Sequence, residues 1–195
     1  MKILLKILPV ISMIATASCT KTTIVVPSSE AIQQEMNTEQ IAAGISLGQE
    51  YGGGIVFFLE STRQHGLIAA KSDADTVEAW YNTVYYQTNA RAAAIGSGAS
   101  NTRKIINALG NSGTYAAKVC QDYRGGGYSD WFLPSKNELN LLYKRRAVVG
   151  NLISGYYWSS TESDFKYAWS QYFGFGYQGL NDKKFAFFVR PVRVF

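Results

Sequence analysis

The sequence predicts an α+β domain with a small antiparallel sheet, two to three helices and long irregular loops. Three stretches carry that expectation. Apolar runs at residues 55–59 and 66–70, separated by a polar turn at 60–65, read as a hairpin. Ser135, followed three residues later by Glu138 and then by Leu139, Leu142 and Tyr143, marks a helix start. There each of the two side chains satisfies a free backbone donor of the other. Residues 185–195 read as a strand buried on both faces. Phe185, Phe187 and Val189 lie on one face; Ala186, Phe188, Arg190, Val192 and Val194 lie on the other.

Taken in order, the chain begins with a targeting segment. Lys2 and Lys6 precede an apolar run at 7–15, and small residues Ala17 and Ser18 lead to Cys19. That pattern describes a secretory signal peptide over residues 1–18. Its apolar run is about ten residues, half of the roughly twenty that a membrane-spanning helix needs. Thr16-Ala17-Ser18-Cys19 resembles the bacterial lipobox, in which the cysteine becomes the lipidated first residue of the mature protein. The alternative is an ordinary cleaved signal. Residues 19–44 then form a lipidated N-terminus and tether, with one helix over 31–36, and residues 45–195 the compact domain. The expected location is the cell envelope, anchored by lipid in the outer membrane.

The formal charge is +5. Removal of residues 1–18 deletes Lys2 and Lys6, so 17 basic against 14 acidic residues leaves +3. This weak excess does not point to nucleic acid. The dense basic run Lys144-Arg145-Arg146 falls where a helix ends and complements its dipole; a sulfated or phosphorylated ligand is the other reading. With Cys19 lipidated, Cys120 has no disulfide partner. It shares a helical stripe with Ala116, Val119 and Tyr123 and reads as a small core hydrophobe.

Gly52-Gly53-Gly54 is followed by a strand rather than a helix, which favours close backbone approach over a phosphate loop. Residues 71–99 read as irregular, anchored by Trp80, Tyr81, Tyr85 and Tyr86. Ser100 or Asn101 caps a helix through Leu109 that turns Ile105, Ile106 and Leu109 inward. Gly125–Gly127 end the Cys120 helix. Arg190 lies among apolar neighbours and needs a buried carboxylate; Asp130 and Glu138 are the candidates. Pro191 places its strand at an edge or a bulge.

No catalytic residue is assigned. His65 is the single histidine and sits in a turn without a neighbouring nucleophile. One histidine and one free cysteine make no transition-metal site, and no metal or cofactor is expected. Asp73 with Asp75, and Glu162 with Asp164, offer only weak calcium signals. The informative region is 154–185. Within it Tyr156, Phe165, Tyr167, Tyr172, Phe175 and Tyr177 alternate with Ser, Gly, Asn and Asp. That mixture offers rigid aromatic area with adaptable hydrogen bonding, as in antibody paratopes. Trp158, Trp169 and Phe173 are expected inside. Phe165, Lys166, Tyr167, Tyr172, Phe175, Tyr177, Asn181 and Asp182 are expected to contact a ligand.

Several ordered motifs together resemble the Lcl C-terminal domain family. They are residues 51–58 (YGGGIVFF), 64–69 (QHGLIA), 129–135 (SDWFLPS) with Glu138-Leu139, 157–162 (YWSSTE), and the Val189-Arg190-Pro191-Val192-Arg193 ending. The resemblance spans about residues 45–195. It implies a C-type-lectin-like fold, distantly akin to formylglycine-generating enzymes, whose catalytic cysteines have no counterpart here. The Glu-Pro-Asn and Trp-Asn-Asp motifs of sugar-binding C-type lectins are missing too. The family's namesake is an adhesin for sulfated glycosaminoglycans, and related domains vary exposed residues between fixed scaffold motifs, a pattern that residues 165–186 fit. The expected function is thus an envelope lipoprotein, adhesin or diversified binder, holding a glycan or protein ligand. The alternatives are a carboxylate-dependent glycan-processing enzyme and a structural envelope component.

Overall fold

The computed structural model describes residues 44–195, together with Ser28. The signal peptide, Cys19, the tether and its helix lie outside the described residues. The fold class is α+β; the described residues form two small antiparallel sheets where one was expected and four α-helices where two or three were. The first sheet contains β1 (Glu50–Tyr51), β2 (Gly54–Leu59), β3 (Gly66–Ala70) and β7 (Val192–Val194) in that order. The second contains β4 (Tyr156–Glu162), β5 (Tyr167–Tyr172) and β6 (Gln178–Asp182). The β2–β3 hairpin forms as read, with Ile55 opposite Ala69 and a bulge between Val56 and Phe58. Gly53 explains the glycine run. Its φ is +86°, and a Cβ there would lie 2.7 Å from the Gly125 carbonyl oxygen and 3.0 Å from the Gly126 Cα.

The helices are α1 (Gly98–Leu109), α2 (Ala116–Asp122), α3 (Lys136–Lys144) and the single turn α4 (Arg146–Val149). α1 begins earlier than expected, after Ser97. Asn101 lies inside it, fully buried, donating its amide to the Ala92 carbonyl at 2.6 Å. α2 ends at Tyr123, and the three glycines follow as a separate 3-10 turn rather than forming its C-cap. Cys120 is buried on α2, and burial pushes its thiol well above the ordinary cysteine range. α3 carries the expected capping box. Glu138 is fully buried there, and its carboxylate accepts the backbone N–H of Ser135 and of Gly96, each at 2.7 Å. Burial holds its carboxyl above the usual range despite those bonds.

The core has three connected parts. Trp80, Tyr115, Trp158 and the inner faces of α1 and α2 form one. Phe57, Leu139, Leu142, Tyr157 and Phe173 form the second, under α3. Ile45, Val56, Ile68 and Trp131 pack on the other side of the first sheet. Tyr86, expected as an anchor, is 54% exposed. Its carbonyl, not its ring, is held inside.

The C-terminal segment is not one strand. Phe187 bridges Glu78, Phe188 lies parallel to Tyr157, and only Val192–Val194 joins the first sheet. Pro191 has no N–H to continue a ladder, so the segment changes partners as it passes between the sheets. Arg190 is buried as read, but its carboxylate is Asp73, at 2.6 Å, with the Ala70 carbonyl at 2.7 Å. Asp130 instead pairs with Arg193 through two bonds of 2.7 and 2.8 Å, and Glu138 serves the cap. A residue's charge partner is a tertiary fact, and these two lie far away in sequence.

The most enclosed ion pair was not expected. Lys183 and Glu162 are both buried with their charged groups 2.6 Å apart. The Lys183 ammonium also donates to the carbonyls of Tyr86 at 3.0 Å and Phe165 at 3.1 Å, and lies 4.4 Å from the centre of the Trp80 ring. Burial pulls its pKa down, against the opposing pull of Glu162.

Removal of one partner of such a pair strands the other charge. Lys183→Met is expected to cost about 3 to 5 kcal/mol, read from the denaturant midpoint of the purified chain. A second expectation concerns acid. Burial would raise the Asp130 carboxyl, but Arg193 outweighs it and holds the group below its ordinary value of 3.8. The stability this adds is present above the unfolded pKa and lost as pH falls through the lower folded one. Asp130→Asn should flatten the fall in stability below pH 3.8, measured as urea midpoints across that range.

Candidate ligand-binding surface

The second sheet sets the surface by its register. β5 and β6 pair Ala168 with Asn181, Ser170 with Gly179, and Trp169 with Leu180. β4 adds Tyr156 opposite Tyr172 and Trp158 opposite Ser170. Alternation then places Tyr156, Trp158, Tyr172, Ser170, Gly179 and Asn181 on one face. Tyr157, Gln171 and Gln178 lie on the other, where Gln171 and Gln178 bond to Asn140 and Lys136 of α3.

On the first face the rings of Phe175, Tyr172, Tyr156, Phe187 and Phe185 follow one another. Successive centroids are 4.8, 5.0, 5.0 and 6.1 Å apart, and Tyr156 stacks nearly parallel on Phe187. Phe187 also packs on buried Trp158 at 4.5 Å, which ties the row to the core. Phe175 is 74% exposed, Phe185 46% and Tyr156 36%. Tyr177 joins them by folding over Gly179, where a Cβ would stand 2.7 Å from its ring. Asn181 lies beside the row, its amide donating to the Ser170 hydroxyl at 2.7 Å. Each ring contact contributes about 0.5–1.5 kcal/mol beyond area burial, so the row is held in place by its own packing.

The expected contact residues therefore divide. Tyr172, Phe175, Tyr177 and Asn181 share this face. Phe165, Lys166, Tyr167 and Asp182 gather at the β4–β5 turn. There Phe165 meets Tyr85 edge-on at 6.5 Å, and Lys166 lies 3.7 Å from the Asp182 carboxylate. Asp182 does not stand out to solvent: it is 7% exposed and accepts the Tyr85 hydroxyl at 2.5 Å. Burial would raise its carboxyl, but the Tyr85 bond and nearby lysines hold it low; Tyr85 in turn is pushed up to about 12 by that bond. Trp158 and Phe173 are buried as expected, whereas Trp169 is only half-buried, with the Lys136 ammonium 3.2 Å from its ring centre. Sequence reasoning gave no contact role to Tyr156, Phe185 or Phe187. Tyr156 was legible as the outward neighbour of Tyr157 in an alternating strand. The other two were not, because their segment was read as buried on both faces.

Three of the four carboxylates raised as calcium candidates are otherwise engaged. Asp73 holds Arg190 and the Tyr157 hydroxyl, Glu162 holds Lys183, and Asp164 accepts the backbone N–H of Lys166 and Tyr167. Among the described residues no three His, Cys, Asp or Glu side chains gather as a metal site, and no helix is long and apolar enough to cross a membrane. His65 is exposed in the β2–β3 turn, one ring nitrogen 3.2 Å from the Phe195 carbonyl oxygen.

Compared with known proteins, residues 60–193 match a family model described as the Lcl C-terminal domain, which covers more than half of the chain. No curated protein matches it.

If the ring row is surface rather than core, its members tolerate truncation. Phe175→Ala, which loses one ring contact, should cost about 0.5–1.5 kcal/mol. Trp158→Ala, beneath the row, should cost about 3–5 kcal/mol. Parallel denaturation curves of the two variants check the contrast.

Proposed function

Since the chain belongs to the Lcl C-terminal domain family, we propose that it is a cell-envelope lipoprotein whose domain, lectin-like in fold, binds a glycan or protein ligand without catalysis. The observation that carries this reading is the row of five contiguous rings on one sheet face, three of them more than a third exposed. A patch of that kind on a folded domain marks an interaction site, and aromatic side chains are enriched at such sites. Flat ring faces suit the apolar C–H faces of sugars, and the Asn181 amide and Tyr hydroxyls at the edge suit their hydroxyls.

Lectin-like folding fits the family and the pair of small sheets joined by long loops. Lipid anchoring at Cys19 and an outer-membrane location follow from the N-terminal pattern alone. In this reading Lys184, 5.8 Å from the Phe185 ring centre, is the basic group beside the rings, whereas Lys166 lies at the β4–β5 turn and Lys183 is an internal strut. Glu162, Asp73, Asp130 and Glu138 each serve a separate structural partner rather than facing one another in a pair, which favours binding over glycan processing.

A glycan array probed with the purified chain, at low and high salt and with a calcium chelator, tests the reading. Selective binding that survives chelation is expected. Phe175→Ala and Tyr156→Ala should each weaken it about tenfold, a loss near 1.4 kcal/mol, with folding unchanged. If both variants bind as tightly as the unaltered chain, the ring row is not the site. An array without any binding shifts the assignment to a protein ligand.

A further inference from the structure

A second concavity shares no residue with the aromatic face. α1 turns Ala99, Thr102, Arg103 and Ile106 toward residues 129–132 and Val194 of β7, enclosing about 370 Å³. That lies within the range of small-molecule sites, roughly 300–1,000 Å³. The floor is apolar and rigid: Trp131 is 3% exposed, Phe132 4% and Ile106 6%. The Thr102 hydroxyl is already engaged by the Leu133 backbone at 3.0 Å. Val194, 46% exposed, leaves an apolar wall open to solvent.

The charges around this cleft do not balance. Asp130 is matched by Arg193 through two bonds, and the Arg193 guanidinium lies 3.8 Å from the Tyr128 ring centre, so that pair is internally neutral. α2 contributes the uncharged Gln121. Arg103 is the remaining charge, and no bond to its guanidinium is seen among the described residues.

We propose that this cleft binds a small amphipathic carboxylate, its apolar body against Trp131, Phe132 and Ile106 and its anionic head on Arg103. A guanidinium fork matches a carboxylate through two parallel charge-assisted bonds; a neutral amide offers it a single carbonyl acceptor, and a cation is repelled. The site stands independently of the ligand surface on the second sheet.

Calorimetric titration of the full chain with 3-phenylpropionate, 3-phenylpropanamide and 3-phenylpropylamine isolates the head group while keeping the body constant. The acid should saturate at millimolar concentration and bind about tenfold more tightly than the amide; the amine should bind least. Arg103→Gln, an exposed change that leaves the fold intact, should remove the preference for the acid. Val194→Trp, which fills the mouth, should weaken acid and amide alike, and Phe175→Ala should change neither. Equal affinity for acid and amide would overturn the proposal. So would acid binding that ignores Arg103→Gln, or no saturation by the acid at all.

Discussion

The buried Glu162–Lys183 pair is the joint on which the rest of the second half depends. Residues 71–97 cross the molecule with almost no repeating backbone pairing, yet several of their polar groups lie inside, where an unmet donor or acceptor is costly. Glu162, at the end of β4, accepts the N–H groups of Thr88 and Asn89, both at 2.8 Å, and the Thr88 hydroxyl. Lys183, just past β6, completes the carboxylate and turns its remaining protons to Tyr86 and Phe165. One ion pair therefore fastens the loop, the end of β4, the β4–β5 turn and the exit of β6. Three acceptors around one ammonium leave no donor unmet, which is the condition under which a buried charge is tolerable.

The same economy recurs along the C-terminal segment. Arg190 reaches Asp73 and the carbonyls of Ala70 and Asn151; Arg193 reaches Asp130 and the Gly52 carbonyl at 3.1 Å. Each guanidinium ties a loop carboxylate to a strand end or a turn of the first sheet. The interior is aromatic where elements pack and ionic where loops meet. The ring row on the second sheet inherits this rigidity, because Phe187 belongs to the segment that the two arginines hold and Tyr156 stacks on it.

What was legible in the sequence was local. The capping box at Ser135 and Glu138 needs only three residues of spacing, and the β2–β3 hairpin needs two apolar runs and a turn; both form as read. The partner of Arg190 was not legible, since Asp73 lies 117 residues away and nothing nearby in sequence marks it. The C-terminal alternation of apolar residues was real, but Pro191 and the passage between two sheets turned one expected strand into a series of bridges. For the candidate surface, composition drew attention to residues 154–185, where several of the exposed rings gather. Only the register of β4, β5 and β6 could separate Tyr172, Phe175 and Tyr177 from Phe165 and Tyr167, and show Asp182 to be enclosed.

The position of β7 has a kinetic side. The first sheet is closed by Val192–Val194 pairing with Leu67–Ala69, elements from opposite ends of the domain. β3 is buried along its whole length, so until those last residues arrive one of its edges is unpaired and its neighbours lack the Arg190 and Arg193 fastenings. Pairing of such remote segments carries a large chain-closure entropy and slows folding. A polypeptide emerging from its N-terminus cannot complete this sheet progressively; β3 must wait for Val192–Val194. That delay would leave one edge of β3 open through most of synthesis, and would make Val192–Val194 as decisive for completing the sheet as the apolar residues at its centre.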